Sequence, residues 1–352
     1  MINTKQFLSC IKTAAKIAAK NGVQPVLSNV LLEVDNNYLK ITTTDLTESY
    51  TKTLILSGEQ ESFKTTVNAA FLFKILSGIK DNYIDFIIDN DIFRIRTNKT
   101  DYLLRTIPAT EFPRNMLFDN DYIKQLSVHS DVLKKLYKTA SQDTDNVLGS
   151  VGIDTNGQLC TTDGNRLLYY KTEQLVANKF NISTNIIPFL TTGNYNISTF
   201  DDNVKLLNTD TNEVFYTKLI DGTYPVYMKL IPCHNDIEIN FNTKELIKAL
   251  NEIKVTLNSR INIVKMLFKN NNIYLQTEIP EDGKTKTKIG FTGDISKLKY
   301  TEIGLNWHYL KDFAETTDSL TLELHPSGNL DGILIKFTDN NYTGVLMPIQ
   351  LN

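Results

Sequence analysis

The sequence is poor in the residues that usually mark chemistry. Three cysteines, Cys10, Cys160 and Cys233, are widely separated, and four histidines, His129, His234, His308 and His325, are scattered. Apart from the adjacent Cys233 and His234, none stands at metal-ligand spacing, so buried or idle thiols are expected, with no disulfide, no zinc or other metal and no cofactor. No stretch approaches the roughly 18 consecutive apolar residues of a membrane span. The start, MINTKQFLSCIK, lacks the charged-then-apolar layout of a secretory signal, and a cytoplasmic location is expected. G-x-S-x-G, H-E-x-x-H and the phosphate-binding G-K-[ST] are all missing. Asp45, Asp163 and Asp221 could be imagined as loop acids of a hydrolase. Asp-Gly is foremost a turn signal, however, and no catalytic residue is assigned. An excess of positive charge is lacking too: the net charge is −3, which looks wrong for a protein that grips phosphates but says nothing about where the charges sit.

What is present is length and internal repetition. The 352 residues, 41% hydrophobic and 22% charged, are enough for two or three domains with their own cores. An amphipathic helix opens at Thr4 (TKQFLSCIKTAAKIAAK), a second at Ser130 (SDVLKKLYKTASQ) and a third at Thr243 (TKELIKALNEIKV), each beginning with a side-chain oxygen suited to capping. The starts lie 126 and 113 residues apart, about the length of a small domain. Each helix precedes a strand, turn, strand pattern such as NVLLEVDNNYLKITTTDL or INIVKMLFKNNNIYLQTEI. A shorter helix follows in each copy: from Asn68, weakly near Asn185, and from Asn306. More hairpins close the copies, among them SLTLELHPSGNLDGILIKF. The chain therefore reads as α+β, three copies of a unit whose two helices pack on antiparallel sheets, divided as 1–121, 122–235 and 236–352.

The lysines follow that repeat. Leu8, Ile11, Ala15 and Ala18 are expected to share the buried face of the first helix, with Lys5, Lys12, Lys16 and Lys20 along another stripe. Lys134 and Lys138 are one turn apart in the second copy, and Lys244, Lys248 and Asn251 lie opposite Leu246, Leu250 and Ile253 in the third. Lys74, Lys80 and Lys311 come from the short helices. A lysine stripe is what any solvated helix shows, but its recurrence at equivalent positions suits a surface that follows a phosphate backbone without reading bases.

Five segments resemble, in order and spacing, the bacterial DNA polymerase III beta subunit family, the sliding clamps: PVLSNVLLEV, TTDL, TTDGNRL, KLIDGTYPVY and VLMPIQL. The resemblance covers essentially the whole chain. It implies three clamp-fold domains closed head to tail by a second subunit into a homodimeric ring around double-stranded DNA, with an acidic exterior and basic inner helices. The implied role is that of a processivity factor without chemistry of its own, an associated subunit of the DNA-directed polymerase, a nucleotidyltransferase. Under it the polymerase III catalytic subunit, the clamp loader and repair proteins dock through short linear peptides.

Carried over by position, the partner-peptide pocket consists of Leu148, Thr162, Gly164, Asn165, Arg166, Leu167, Pro225, Lys229, Leu230, Val345, Leu346, Met347, Pro348, Ile349 and Gln350. That would explain the apolar ending GVLMPIQLN, since a methionine-bearing lining adapts to different ligands. The alternative, a last core strand, is compatible because strand residues alternate between faces. Asn165 replaces the family's usual His, Lys229 stands where some members have Arg, and Gln350 sits where Arg commonly precedes the last Leu, which bears on partner preference. The DNA-binding set implied is Lys12, Lys16, Lys20, Lys74, Lys80, Lys134, Lys138, Gln142, Lys244, Lys248 and Lys311; Asn146 and Val147 replace nearby tyrosines of some members, which disfavours base stacking there. Tyr102, Leu103 and Leu104 of an edge strand are expected to pair across the dimer with the region of Val255 and Thr256. A secondary clamp for repair or plasmid replication, or a ring-forming structural protein other than a clamp, is the alternative reading.

Overall fold

The computed structural model describes residues 1–20, 24–113, 121–144, 146–232, 235–327, 332–337 and 341–351. Cys233 and His234, and the turn of the hairpin between 319 and 337, lie outside the described residues. The helices are α1 (Thr4–Ile17), α2 (Ala69–Gly78), α3 (Ser130–Tyr137), α4 (Thr243–Ile253) and α5 (Trp307–Ala314). The weak pattern near Asn185 forms a 3-10 segment, Thr184–Phe189, with Pro188 inside it; proline lacks the N–H that a regular α-helix needs.

Two details differ from the sequence reading. Thr4 and Thr243 do not cap their helices; the preceding asparagines do, Asn3 accepting from the Gln6 N–H and Asn242 from that of Glu245. Asn68 and Asn306 cap α2 and α5 in the same way, because a short amide in extended backbone reaches the orphan N–H groups while the next residue is already helical. On α1 the buried face runs through Phe7, Cys10, Ile11, Ala14, Ile17 and Ala18, leaving Leu8 and Ala15 half-buried. The aromatic Phe7 turns the apolar stripe by about one residue from the expected one. Lys12 and Lys16 remain exposed.

The chain divides into two compact units, Met1–Asp131 with Asn185–Leu219, and Val132–Thr184 with Ile220–Asn352. Strands between 122 and 235 contribute to both. In the first unit all strands form one twelve-stranded antiparallel sheet. Its two halves join where Ser49–Ile55 pairs with Val214–Lys218, Phe215 opposite Tyr50. Tyr50, Phe215 and Tyr195 are fully buried at this seam. Glu213 is buried beside them and accepts from Tyr50 (2.9 Å), Thr191 (2.6 Å) and Thr211 (2.9 Å), which offsets the cost of desolvating a carboxylate. Glu48 accepts from Thr217 at 3.0 Å through one oxygen, and its other oxygen has no partner among the described residues. Burial pushes its carboxyl up to about 8.

The second unit holds a nine-stranded sheet and a four-stranded one. The nine-stranded sheet has its own seam, where Arg166–Tyr170 pairs over five residues with Tyr342–Leu346. The four-stranded sheet contains the turn Asn270–Asn271, both residues at positive φ (49° and 57°) as a tight two-residue hairpin requires. Helices α4 and α5 pack together, and Trp307, fully buried, donates its indole N–H to the Leu250 carbonyl at 2.8 Å. The opposite face of this sheet carries Lys265, Lys286 and, beside them, Lys284 and Lys288.

Candidate functional site

The second seam gathers most of the residues expected at a docking pocket. Strands Leu159–Thr162 and Arg166–Tyr170 meet in a tight turn in which Gly164 takes φ 90°, a conformation glycine adopts without strain. Asp163 accepts the N–H groups of Asn165 (3.0 Å) and Arg166 (3.2 Å), and the Thr162 hydroxyl donates to the Arg166 carbonyl at 2.6 Å. Leu167 pairs with Val345 and Arg166 with Leu346, and the Met347 N–H donates to the Asn165 carbonyl at 2.9 Å. Turn and C-terminal segment are thus held side by side by backbone hydrogen bonds.

Around them Cys160, Leu167, Tyr227, Leu334 and Val345 form a buried apolar cluster, with Tyr169, Tyr224 and Ile231 packed on it. The segment Tyr227–Leu230 is a 3-10 turn that sends Tyr227 inward, where its hydroxyl donates to Gln158 at 3.1 Å. Its neighbours stay outside: Val226, Met228 and Leu230 are exposed, as is Met347 at 37%. Apolar groups left exposed beside an apolar core are the usual mark of a docking surface. Lys229 is exposed, Pro225 is exposed, and Leu148, in the turn Val147–Gly149, is half-buried. Leu346 is fully buried, so it serves the core, and Pro348 is half-buried. Ile349 and Gln350 face a different place: Ile349 bridges to Gly304, and both line a cavity of about 260 Å³ with Tyr300, Glu302 and Ser327. Tyr224, Tyr227 and Tyr169 belong to this cluster but were not named from the sequence, although Tyr224 and Tyr227 lie within the quoted KLIDGTYPVY.

Arg166 is only 7% exposed, and all of its guanidinium nitrogens are engaged. It donates to Asp163 (2.9 Å), to Asp312 (2.6 Å) and to the Lys138 carbonyl, with its plane 4.1 Å from the centre of the Tyr309 ring. A planar fork with this many partners fixes the pocket turn against the end of α3 and against α5. Nothing local in the sequence marks Tyr309 and Asp312 as its partners. The Cys160 thiol is held well above its ordinary pKa by burial and that of Cys10 is pushed up to about 11, so neither is a ready nucleophile.

The lysines divide into two groups. Lys12, Lys16, Lys20, Lys74, Lys80, Lys244 and Lys248 are exposed, as is Gln142, whereas Lys134, Lys138 and Lys311 are half-buried. Glu315 binds two of the latter, Lys138 at 3.0 Å and Lys311 at 3.5 Å.

For the edge residues, strand Asp101–Pro108 pairs with Ile92–Arg96 through residues 101–105, and with Phe63–Asn68 only from 106 onward. Among the described residues, Tyr102, Leu103 and Leu104 therefore have one backbone edge without a strand partner; Leu103 is 59% exposed and Leu104 buried. Val255 and Thr256 are not on a strand. They form a 3-10 turn, Lys254–Thr256, with Val255 76% exposed and the Thr256 hydroxyl against Thr277 (2.8 Å). The helix α4 ends there without a capping glycine and tightens, which is why extended backbone does not begin at once. That turn packs against strand Gly283–Ile289, which among the described residues has Asn272–Ile279 as its only strand neighbour.

The chain is similar to several known proteins. Residues 1–117 match the DNA polymerase III beta subunit, N-terminal domain, and residues 228–350 the C-terminal domain of the same subunit, together about two thirds of the chain. The chain is 23% identical to the beta sliding clamp of Vibrio cholerae over 93% of both chains, and 23% identical to that of Pseudomonas aeruginosa over 99% of both. Among solved structures, a sliding clamp from Bartonella birtlesii bound to griselimycin superposes with a TM-score of 0.86 at 22% identity, covering 99% of this chain and 98% of that one. The DNA polymerase III beta subunit of Thermotoga maritima superposes at 0.82 and 20% identity, covering 100% and 99%. The chain belongs to the DNA polymerase III beta subunit family, the beta sliding clamps.

Proposed function

We propose that this protein is a DNA sliding clamp. Two copies close into a ring around duplex DNA and tether the replicative polymerase, with the clamp loader and repair proteins using the same docking site, in the cytoplasm where the chromosome is copied. The chain divides for this purpose into three clamp domains, 1–121, 122–235 and 236–352. The single observation that carries the reading is the seam at Arg166–Tyr170 and Tyr342–Leu346, where a turn and a C-terminal segment frame a tyrosine-rich apolar cluster beside exposed Val226, Met228, Leu230 and Met347. A linear peptide with apolar anchors fits such a surface.

Retention on DNA follows from enclosure and not from affinity. Contacts to phosphates from exposed lysines are sequence-independent and weak, and weakness permits sliding. The open edge at residues 101–105 is where the partner subunit adds its strand, and the open edge of Gly283–Ile289, flanked by Val255, is its counterpart. Loading onto nicked circular DNA tests the function: the protein is expected to stay on the intact circle and to leave once the circle is linearised. Equal retention on circle and line would contradict enclosure.

A further inference from the structure

Ten lysines make up the proposed DNA-facing set, and their electrostatic surroundings differ. Among the described residues Lys12, Lys16, Lys20, Lys74, Lys80, Lys134, Lys244 and Lys248 have no carboxylate within ion-pair distance. Only Lys138 and Lys311 are paired, and the partner is the same residue. Glu315 offers one oxygen to each: Oε2 to Lys138 at 3.0 Å and Oε1 to Lys311 at 3.5 Å. Lys311 is steadied from its other side by the Trp307 ring, 5.2 Å from its Nζ, and the backbone at Lys138 is fixed by Arg166. The position of Glu315 is itself informative. It is the C-cap of α5, where the helix dipole disfavours an anion, and the two lysines beside it offset that. Partial burial would raise its pKa, yet Lys138 and Lys311 hold it below the ordinary value.

We propose that Glu315 is a positioning residue for DNA retention, a built-in stand-in for phosphate that holds Lys138 and Lys311 together and subtracts their charge from the DNA-facing surface. This rests on the reading of these helices as DNA-facing. The chemical argument is substitution: a carboxylate bridging two ammonium groups occupies the place a phosphate oxygen pair would take. A duplex must displace it to gain two contacts, so these contacts form only in part, and the hold on DNA stays loose enough for sliding. Removing the carboxylate while keeping its shape frees both lysines.

The experiment measures binding of a short random-sequence duplex by fluorescence anisotropy from 50 to 200 mM salt, for the intact protein and for Glu315→Gln, Glu315→Asp and a Lys138→Gln/Lys311→Gln pair with and without Glu315→Gln. Glu315→Gln is expected to bind more tightly at low salt, with a slope of log K against log salt steeper by up to about 1.8, two added phosphate contacts at roughly 0.9 each. Its advantage over the parent should shrink about tenfold across that salt range. Glu315→Asp should behave as the parent, and Glu315→Gln should change nothing where both lysines are already gone. An unchanged slope in Glu315→Gln, or an equal gain without the lysines, would overturn the proposal. A thermal melt of each variant accompanies the titration, since a purely structural role would lower the melting temperature and leave the slope unmoved. Open duplex is bound here without enclosure, so failure of the ring reading would show separately, as equal retention on circular and linear DNA.

Discussion

The two seams use one backbone solution for different ends. At Ser49–Ile55 with Val214–Lys218, and at Arg166–Tyr170 with Tyr342–Leu346, a sheet from one stretch of chain is continued by strands from a distant stretch, so edge groups are paired instead of left open. The first seam is then closed by a polar network: Glu213 gathers three hydroxyl donors, and Glu48 is buried a few residues away. The second is lined by leucine, valine and tyrosine and borders exposed apolar residues, with its one buried cation withdrawn into a cage of Asp163, Asp312 and Tyr309. What differs is which groups the seam leaves unsatisfied. At the polar one the unsatisfied group is a single buried oxygen of Glu48, out of reach of a partner, while the apolar one gains by being covered.

The sharpest way to break this contrast is to remove the tail. A chain ending at Leu346 keeps all five residue pairs of the second seam but loses the Met347 bond to Asn165 and the strap beyond it. It is expected to lose polymerase stimulation completely while its mass in solution remains that of the dimer; a tail-less protein that still stimulates would remove the pocket from the account.

At the first seam the test is pH. The folded-state pKa of Glu48, about 8, lies above its ordinary 4.5, so its contribution to stability is complete below about 4.5 and is lost as pH rises through 8. The loss across that window is on the order of 5 kcal/mol. Glu48→Gln should flatten the stability profile of the first unit between those pH values, as read by hydrogen exchange; a slope that persists would place the titrating group elsewhere.

Arg166→Ala should cost about 3 kcal/mol, because it strands two carboxylates against the pocket turn, and Arg166→Lys should recover only part of that. Chemical denaturation measures both, and equal stability of the lysine variant would deny the fork its role. The smallest effect belongs to neither seam. Asn242→Ala removes one cap of α4 and should cost about 1 kcal/mol by the same denaturation, leaving docking untouched.

Much of this was legible in the sequence because it is local. Periodicity located the five α-helices among the described residues, while the helix expected near Asn185 is a 3-10 segment, and the Asn/Gly turns located the hairpins; the caps of α1 and α4 fall one residue earlier, on Asn, because Asn-Thr and Thr alone look alike without φ and ψ. Asp163, Gly164 and Thr162 announced their turn by chemistry that acts over three residues. The register of the seams was not legible in local pattern, since Arg166 meets Leu346 across most of the second unit's sequence; that the 162–167 turn and the C-terminal segment meet was implied only by the family resemblance. For the same reason the cage around Arg166 and the pairing of Glu315 with Lys138, 177 residues apart, could not be read from spacing. Val255, expected at the end of the third helix, lies instead in a 3-10 turn, Lys254–Thr256, because α4 tightens where no glycine caps it.

The central claim is that the protein encloses what it binds. Electron-microscope imaging of the particle in solution tests it most directly: a closed annulus built by two copies, with an opening wide enough for a duplex, is the expected result, and a particle filled at its centre would contradict the account.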